Sequence, residues 1–440
     1  MKVLVIGNGG REHTLAWCLA QSPKVHSITC VPGNGGTANL AKCRNLAMGV
    51  TDFEGIERFA TVNNIGLMVV GPEVPLAAGF ADYFLDRGFQ VFGPRKAGAQ
   101  IESSKAWAKA LMQEAGIPTA KAEVFVTAAD AKAYVSRQGV PIVIKADGLA
   151  AGKGVTVAQT EEEAYQAIDA AFGGRFGAAG ECVVVEECLQ GQEASVLAIT
   201  DGRTIRPLVP AQDHKQIGAG DTGANTGGMG AYAPTPVVSA AMLERIQAEV
   251  LDPAIATLRH RDIDYCGVLY AGLMITPEGD PKVIEFNCRF GDPETQVVLP
   301  LLASPLDALM LACVQQKLAD YPPIEWKEGA AACVVLAAGG YPDAYKKGLP
   351  ITGIAEAEAT GAMVFHAGTR LAKQGVVTDG GRVLGVTALG DTFEEAIAHA
   401  YTAVDHIHFE DMYCRRDIGF RVLPGDGQRT QGNQVDQGGQ

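Results

Sequence analysis

The 440-residue chain is long enough for about three domains, and its 47% hydrophobic content is sufficient for well-packed cores. A formal net charge of −14 argues against broad nucleic-acid or membrane-surface binding, because no basic stripe is available to meet a polyanion. The ten cysteines include no CxxC pair, and the N-terminus lacks the apolar stretch of a secretory signal. We therefore expect a cytoplasmic globular protein with reduced thiols and no membrane span.

Residues 1–103 alternate short apolar strands with helical stretches, which is typical of a Rossmann-like, doubly wound parallel sheet. The first strand runs into GNGGREH, and the backbone amides of Gly9, Gly10 and Arg11 would lie at the start of a helix, where anions bind. A tight strand-to-helix turn without a ligand is the alternative. We expect a phosphate-bearing small molecule here, with Arg11 supplying charge.

A nicotinamide dinucleotide is the less favoured ligand of this region. Glu12 stands where the dinucleotide fingerprint has glycine, and the second strand ends at Gly33 and Asn34 without an acidic residue for the ribose hydroxyls. The motif GPEVPL places Pro72 and Glu73 at the end of the third strand, where ligands gather in open α/β sheets.

The middle region, residues 104–325, has the α+β pattern of strands joined by hairpin-like turns, with a mobile lobe expected over about 121–190. Lys145 ends the apolar strand PIVIK beside the turn AGKGV, a position suited to a polyphosphate. That turn, Gly152 to Gly154 with Lys153 between them, lacks the spacing of a Walker A loop. Lys105 starts an amphipathic helix, where a solvated lysine is the ordinary interpretation.

Acidic residues follow a buried strand in CVVVEECL. Its exit offers Glu186, Glu187 and Leu189, and Glu193 comes soon after. Such an edge can present backbone groups to a base and a carboxylate to a ribose, although an exposed acidic strand end fits the pattern equally well.

A long glycine-rich segment lies between Asp201 and Pro236 and exceeds ordinary loop length, so it is either functional or disordered. It contains Asp213 and then GANTGGMGAY, whose glycines permit close backbone approach to a ligand. We favour a functional segment over a mobile surface loop.

The stretch VIEFNCRFGDPETQ carries the strongest single pattern. Along a strand, Glu285, Asn287 and Arg289 share one face. A carboxylate and an amide oxygen suit Mg²⁺, which proteins hold with one or two groups plus substrate phosphates, and the guanidinium suits phosphate or carboxylate. A solvated strand face is the alternative, but Asp292 and Glu294 in the following turn add acid that such a face would not need.

Residues 326–423 repeat the strand and helix pattern of a small α+β domain, and the Gly/Gln-rich tail 424–440 is predicted to be disordered.

Taken together, these segments resemble one family closely. GNGGREH, PGNGG, GPEVPL, SSKAWAK, VIKADGLAAGKGV, QDHKQIGAGDTGANTGGMGAY, GLMI and VIEFNCRFGDPETQ are similar to the phosphoribosylamine–glycine ligases, or glycinamide ribonucleotide synthetases, of the ATP-grasp superfamily. The resemblance covers residues 1–423.

The resemblance implies an N-terminal Rossmann-like domain, a two-lobed ATP-grasp region and a small C-terminal domain. It implies an ATP-dependent ligase of purine biosynthesis that joins glycine to 5-phospho-D-ribosylamine through glycyl phosphate, with Mg²⁺ as the metal and Mn²⁺ as a substitute. No protein nucleophile is needed, which agrees with the absence of a catalytic triad. A transient contact with the preceding pathway enzyme is a further expectation.

The resemblance also implies residue roles. Glu285 and Asn287 are expected to bind the metal, and Asp213 and Arg289 to contact glycine and the acyl phosphate. The ATP contacts are expected at Lys105, Lys145, Gly152, Lys153, Gly154, Glu186, Glu187, Leu189 and Glu193. The ribose-phosphate contacts are expected at Gly9, Gly10, Arg11, Glu12, Gly33, Asn34, Pro72 and Glu73.

Three rival functions remain at this point. A carboxylase-type or D-alanine ligase of the same superfamily would use another acid, a nicotinamide-dependent oxidoreductase would use the first domain, and a nucleotide-binding regulator would release no ADP.

Overall fold

The structure is a computed structural model that describes residues 1–149, 154–175 and 177–423. The sequence-predicted site residues Gly152 and Lys153, and the tail 424–440, lie outside these residues. Within the described part of the chain, no helix is both long enough and apolar enough to cross a membrane.

The first hundred residues form a five-stranded parallel sheet, as predicted. Its strands are β1 (Lys2–Gly7), β2 (Ser27–Pro32), β3 (Cys43–Asn45), β4 (Leu67–Val70) and β5 (Val91–Phe92). Its helices are α1 (Gly10–Gln21), α2 (Phe53–Asn63), α3 (Glu73–Ala77), α4 (Phe80–Leu85) and α5 (Lys96–Ser103). The strand order is β3-β2-β1-β4-β5. The order reverses between β1 and β4, so the turns after these two strands meet at the edge where ligands bind.

A four-stranded antiparallel sheet follows, in the order β6-β9-β7-β8. Its elements are α6 (Lys105–Ala115), β6 (Ala122–Phe125), α7 (Ala128–Gln138), β7 (Ile142–Ala146), β8 (Val155–Ala158), α8 (Glu161–Ala170) and β9 (Val183–Glu187). The expectation of hairpin-like turns was wrong for β8 and β9, because α8 separates them and β9 pairs with β6 and β7.

The region 192–314 supplies the second central sheet, in the order β11-β10-β16-β17. Its elements are β10 (Gln192–Thr200), β11 (Ile205–Pro207), β12 (Gln212–Asp213), β13 (Gln216–Gly218), β14 (Thr222–Asn225), β15 (Gly230–Ala233), α9 (Ala240–Ile246), α10 (Asp252–His260), β16 (Gly267–Ile275), β17 (Pro281–Asn287), α11 (Thr295–Leu301) and α12 (Leu306–Val314). A π turn (Gln247–Leu251) joins α9 to α10. The glycine-rich segment is therefore built of short strands and is not a structureless loop.

The last block contains β18 (Ala330–Ala337), α13 (Ile354–Ala359), β19 (Met363–His366), β20 (Thr369–Ala372), β21 (Gly375–Thr378), β22 (Arg382–Gly390) and α14 (Phe393–Val404). Its sheet has the order β12-β15-β18-β22-β19, so it takes two strands from the glycine-rich segment. Because β12 ends at Asp213, this pairing attaches a predicted site residue to the C-terminal sheet.

Candidate active site

One cavity of about 720 Å³ is lined by the N-terminal sheet region, both central sheets and the C-terminal block. Seven cationic side chains line it: Arg11, Lys105, Lys109, Lys145, Lys215, Arg289 and Arg382. Because the chain as a whole is acidic, this concentration of positive charge makes the cavity the place where an anionic substrate is favoured.

The predicted face of β17 lies in this cavity. Glu285 and Asn287 of β17 line it, and so does Arg289, which lies two residues beyond the end of the strand. The expected separation of two faces was wrong in part, because Ile284 and Phe286 also line the cavity, whereas Cys288 is buried. The strand pairs with β16, where Gly272 stands opposite Glu285, and a Cβ on Gly272 would lie 3.3 Å from Glu285 Cγ. The missing side chain at Gly272 therefore leaves room for the carboxylate beside it.

The carboxylate of Glu285 is held in its ionised form. Burial favours the neutral acid, but the nearby ammonium groups of Lys215, Lys145 and Lys105 outweigh it and lower the pKa of Glu285 below its ordinary value. The amide oxygen of Asn287 accepts a hydrogen bond of 3.3 Å from Arg289 Nη2.

These oxygens fit a magnesium ion. In the part of the chain that the structure describes, no cluster of three or more His, Cys, Asp and Glu side chains has metal-binding geometry. Mg²⁺ does not require one, because it is commonly held by one or two protein oxygens together with substrate phosphates and water. An ionised Glu285 with Asn287 is such a pair.

Two predicted lysines and one unpredicted lysine meet in the cavity. Lys145 Nζ donates to Ile284 O at 3.0 Å and lies 2.8 Å from Glu186 Oε2. Lys109 Nζ lies 3.2 Å from Glu186 Oε1 and donates to Thr119 Oγ1 at 2.7 Å. The glutamate thus joins two buried lysines, one on β7 and one on α6.

Lys105 is more weakly held than its two neighbours. Its ammonium donates to Gly148 O at 2.9 Å, and burial lowers its pKa below the ordinary value. Gly154 also lines the cavity, and its carbonyl oxygen accepts a hydrogen bond of 2.8 Å from Ala146 N.

Among the described residues, three predicted ATP contacts are not part of the cavity lining: Glu187, Leu189 and Glu193. Glu187 accepts a hydrogen bond from Lys121 N at 3.0 Å, and Leu189 follows at the exit of β9. Glu193 is the second residue of β10 and pairs with Lys215 at 2.5 Å.

The helix start at α1 is packed against the turn after β17. Gly9 N donates to Glu12 Oε2 at 2.5 Å, and Arg11 N donates to Asp292 Oδ2 at 3.1 Å. A Cβ on Gly10 would lie 2.5 Å from Gln296 Nε2. A side chain at Gly10 would therefore displace the Gln296 amide. Two backbone amides that were expected to bind a phosphate, those of Gly9 and Arg11, donate instead to carboxylates of the chain.

Arg11 reaches the cavity with part of its guanidinium engaged. Its Nε donates to Glu12 Oε1 at 2.5 Å and its Nη1 to Phe290 O at 3.0 Å. Glu73, directly after Pro72, lies 3.5 Å from Arg289 Nε. Burial raises the pKa of Glu73, but the guanidinium groups of Arg289 and Arg11 outweigh it, so the pKa falls below the ordinary value.

Gly33 and Asn34 lie in the turn after β2 and contact neighbouring turns and strands. Gly33 has a φ of +73°, and a Cβ there would lie 2.2 Å from Asn45 Oδ1. Asn34 Nδ2 donates to Asn8 O at 3.0 Å and to His366 O at 2.7 Å. The amide of Asn34 thus ties the turn after β1 to β19.

Asp213 stands out among the acids of the cavity. Burial raises its pKa to about 7, with Glu294 and Glu193 adding to this effect and Lys215 opposing it. Arg289, in contrast, keeps its charge, because Glu102 at 2.8 Å and Glu73 outweigh burial and raise its pKa. The site therefore holds a fixed cation and an acid that titrates near neutral pH.

Several lining residues were missed by sequence reasoning. They are Lys109 on α6, Glu102 on α5, Tyr270 on β16 and Arg382 on β22. Arg382 Nη1 donates to Gly227 O at 2.6 Å and to Asp292 O at 2.7 Å. Lys109 carried one usable signal, since it follows Lys105 by one helical turn and so lies on the same face.

Comparison with known proteins identifies the group to which this site belongs. The family descriptions of phosphoribosylglycinamide synthetase match in order: the N domain over residues 1–102, the ATP-grasp (A) domain over 103–295 and the C domain over 331–421. The chain belongs to the phosphoribosylglycinamide synthetase family. The predicted resemblance and the mixed α/β, ATP-grasp architecture are confirmed.

Similar proteins cover nearly all of the chain. A phosphoribosylamine–glycine ligase of Nostoc sp. is 67% identical over 423 residues, 96% of this chain and 100% of the relative. The enzyme of that name from Escherichia coli is 50% identical over 425 residues, 96% of this chain and 99% of the relative. A solved Thermotoga maritima phosphoribosylamine–glycine ligase has a TM-score of 0.82 at 34% identity, covering 95% of this chain and 100% of that one.

A more distant likeness concerns the fold alone. The biotin carboxylase domain of a Hydrogenobacter thermophilus 2-oxoglutarate carboxylase is 16% identical with a TM-score of 0.71, covering 94% of this synthetase-family chain and 91% of that chain.

Proposed function

We propose that this chain ligates glycine to 5-phospho-D-ribosylamine at the expense of ATP, giving glycinamide ribonucleotide, ADP and phosphate for purine biosynthesis. The observation that carries the proposal is the convergence of Glu285, Asn287 and the lysines 105 and 145 with Arg11 of the N-terminal sheet on one cavity. This convergence supports a metal–nucleotide and a second anionic substrate bound in the same cavity.

ATP-grasp enzymes use ATP with Mg²⁺ or Mn²⁺, and Glu285 with Asn287 would hold this ion. Bound there, the metal would neutralise charge on the ATP phosphates. Lys105 and Lys145 would bind phosphate oxygens in the cavity that Gly154 also lines. Glu186, Glu187, Leu189 and Glu193 would form the adenine and ribose edge.

The glycine carboxylate would attack the γ-phosphate of ATP in the first step. Breaking the bond between the β–γ bridging oxygen and the γ-phosphorus releases ADP and leaves glycyl phosphate. Arg289 has the charge and the fork geometry to bind the carboxylate and then the acyl phosphate. The ionised carboxylate of Asp213 would contact the ammonium group of glycine.

The amine of phosphoribosylamine would then attack the acyl carbon and displace phosphate. The ribose phosphate would meet the guanidinium of Arg11, which lines the cavity with Glu73. The turns that carry these two side chains would be shaped by Gly9, Gly10, Glu12, Gly33, Asn34 and Pro72. No residue of the chain need become acylated, so alignment and charge are what the protein contributes.

The experiment is a substrate matrix with product identification. Purified protein with Mg²⁺ and ATP is given glycine, D-alanine or bicarbonate, each with and without phosphoribosylamine. We expect glycinamide ribonucleotide by mass spectrometry only when glycine and phosphoribosylamine are both present. Equal ADP release with D-alanine or bicarbonate would refute the proposal in favour of another ATP-grasp ligase.

A further inference from the structure

A short segment after α14, residues 413–421, crosses the hairpin of β13 and β14, and we call it the C-terminal strap. Its Arg415 is 1% exposed, which for an arginine requires a full set of partners. Arg415 Nη1 donates to Gln216 O at 3.1 Å and to Asp221 Oδ1 at 2.9 Å, while Nη2 donates to Asp417 Oδ2 at 2.7 Å.

The strap bonds to the backbone of the hairpin as well as to its side chains. Asp417 Oδ2 accepts a hydrogen bond of 2.7 Å from Gly220 N. The hydroxyl of Tyr413 donates to Ile217 O at 2.7 Å. Since the residues of β14 are all exposed, these bonds are a principal restraint on where the hairpin lies.

The strap also reaches His214 and Asp213, and the second of these lines the cavity. Gly419 N donates to His214 Nε2 at 3.0 Å, and that histidine is fully buried. Arg421 Nη1 donates to the carbonyl oxygen of Asp213 at 3.3 Å, and its Nη2 pairs with Asp221. The backbone of Asp213 is therefore held from the C-terminal side.

The loop 213–227 that the strap restrains is a wall of the active site. It contributes Asp213, Lys215, Asn225, Thr226 and Gly227 to the cavity lining. A displacement of this wall by about 1 Å is enough to impair a reaction that depends on alignment.

We propose that the C-terminal strap positions the loop 213–227 for glycine, with Arg421 as a positioning residue for Asp213. This inference rests on the proposed ligase function and adds a residue that touches no substrate.

Charge supports the same assignment. The groups facing Asp213 are Lys215 beside it, Glu193 on β10, Tyr270 on β16, Glu294 after β17 and Arg421 on the strap. Burial and the two glutamates raise the pKa of Asp213, whereas Lys215 and Arg421 lower it. Removing the Arg421 charge should therefore raise this pKa further and demand a higher pH for the ionised form.

The test compares Arg421→Gln with Arg421→Lys and a matched control, Arg416→Gln. Arg416 is on the same strap, but its side chain is 58% exposed and pairs outward with Asp405 at 2.7 Å. For Arg421→Gln we expect the KM for glycine at pH 7 to rise about 2- to 5-fold, because a pKa that starts at about 7 and rises by roughly half to one unit lowers the ionised fraction of Asp213 by that factor, with the KM for ATP unchanged.

Three further measurements distinguish a role of Arg421 in positioning the loop 213–227 from a role in the stability of the whole fold. The acid limb of kcat/KM for glycine should move to higher pH in Arg421→Gln, and Arg421→Lys should restore much of it. Amide hydrogen exchange should quicken in peptides from 213–227 but not in those from β17. Arg416→Gln should match the wild type in all of these.

An unshifted acid limb with unchanged exchange in Arg421→Gln would overturn the inference, provided the wild type ligates glycine. An equal rise of the KM values for glycine and ATP in Arg421→Gln would also overturn the inference. Effects of Arg416→Gln as large as those of Arg421→Gln would overturn it too. A wild type that ligates no glycine would instead refute the proposed function, so the two failures are distinguishable.

Discussion

Lys145 and Glu186 form a buried ion pair, with Nζ and Oε2 2.8 Å apart and both residues less than 5% exposed. Lys109 lies on the other carboxylate oxygen of Glu186 at 3.2 Å. The pair links strands β7 and β9, and Lys145 also donates to Ile284 O on β17. The lysine expected to bind ATP is thereby fixed relative to the strand that carries Glu285.

Glu186→Ala should destabilise the fold as well as impair ATP binding. It leaves the ammonium groups of Lys109 and Lys145 buried without their carboxylate, so we expect the free energy of unfolding to fall by about 3 kcal/mol. Denaturant titration measures this change. Glu187→Ala is the control, because Glu187 is more exposed and should cost no more than about 1 kcal/mol. Equal losses of unfolding free energy in the two variants would contradict a stabilising role for the contacts of Glu186 with Lys109 and Lys145.

Glu285→Ala should lose turnover far more than stability. Because the carboxylate is proposed to hold the metal, we expect its removal to lower kcat by about 10²–10³-fold. Saturating Mg²⁺ is used in the assay, with thermal unfolding measured in parallel. Glu278→Ala, on the exposed turn between β16 and β17, is the matched control. Near-normal rates in Glu285→Ala would remove Glu285 from the metal site.

Arg11→Ala should weaken the use of phosphoribosylamine and leave ATP binding intact. Arg11 lines the cavity from α1 of the N-terminal sheet region, whereas the lysines of β7 and α6 line it from the next part of the chain. We expect the KM for phosphoribosylamine to rise about 10-fold or more, as for loss of a charge-assisted hydrogen bond. Arg44→Ala, on the exposed edge strand β3, should match the wild type. A raised KM for ATP with unchanged phosphoribosylamine affinity would move Arg11 to another role.

Asp213 should make both activity and stability depend on pH. Its folded-state pKa of about 7 lies above the ordinary aspartate value, so the folded protein binds this proton more tightly than the unfolded chain. Its contribution to stability is therefore full below the ordinary value and is lost as pH rises through about 7.

Asp213→Asn removes this dependence. We expect the variant to exceed the wild type in unfolding free energy by roughly 2 kcal/mol at pH 8 and by little at pH 4, from denaturant titrations. Its kcat/KM for glycine should be low and should lose the acid limb near neutral pH. If the difference in unfolding free energy between the wild type and this variant stays the same from pH 5 to pH 8, the raised pKa of Asp213 is contradicted.

Local periodicity explains why much of the site could be predicted. Glu285 and Asn287 follow the two-residue repeat of a strand, which needs no knowledge of distant contacts, whereas Arg289 lies beyond the end of β17. The parallel N-terminal sheet was equally accessible, because buried strands such as β1 are continuous apolar runs closed by glycine.

The missed residues depend on partners far away in the chain. From its local sequence, Lys109 is expected to be solvated, and only the contact with Glu186 on β9 shows that it is buried in an ion pair. Arg382 lines the cavity because its strand, β22, pairs with β18. The strands of the glycine-rich segment could not be predicted from local sequence for the same reason. The strand β15 is defined by its pairing with β18, and its sequence GAYA has a weak preference for strand structure.

The central claim is that glycine is activated at its carboxylate in this cavity, and isotope transfer tests it most directly. The enzyme is given ATP, Mg²⁺, phosphoribosylamine and glycine labelled with ¹⁸O in both carboxylate oxygens, and the released phosphate is analysed by mass spectrometry. Passage through glycyl phosphate predicts one ¹⁸O in each phosphate, with the other retained in the amide of glycinamide ribonucleotide. Unlabelled phosphate accompanying ADP formation would contradict the account.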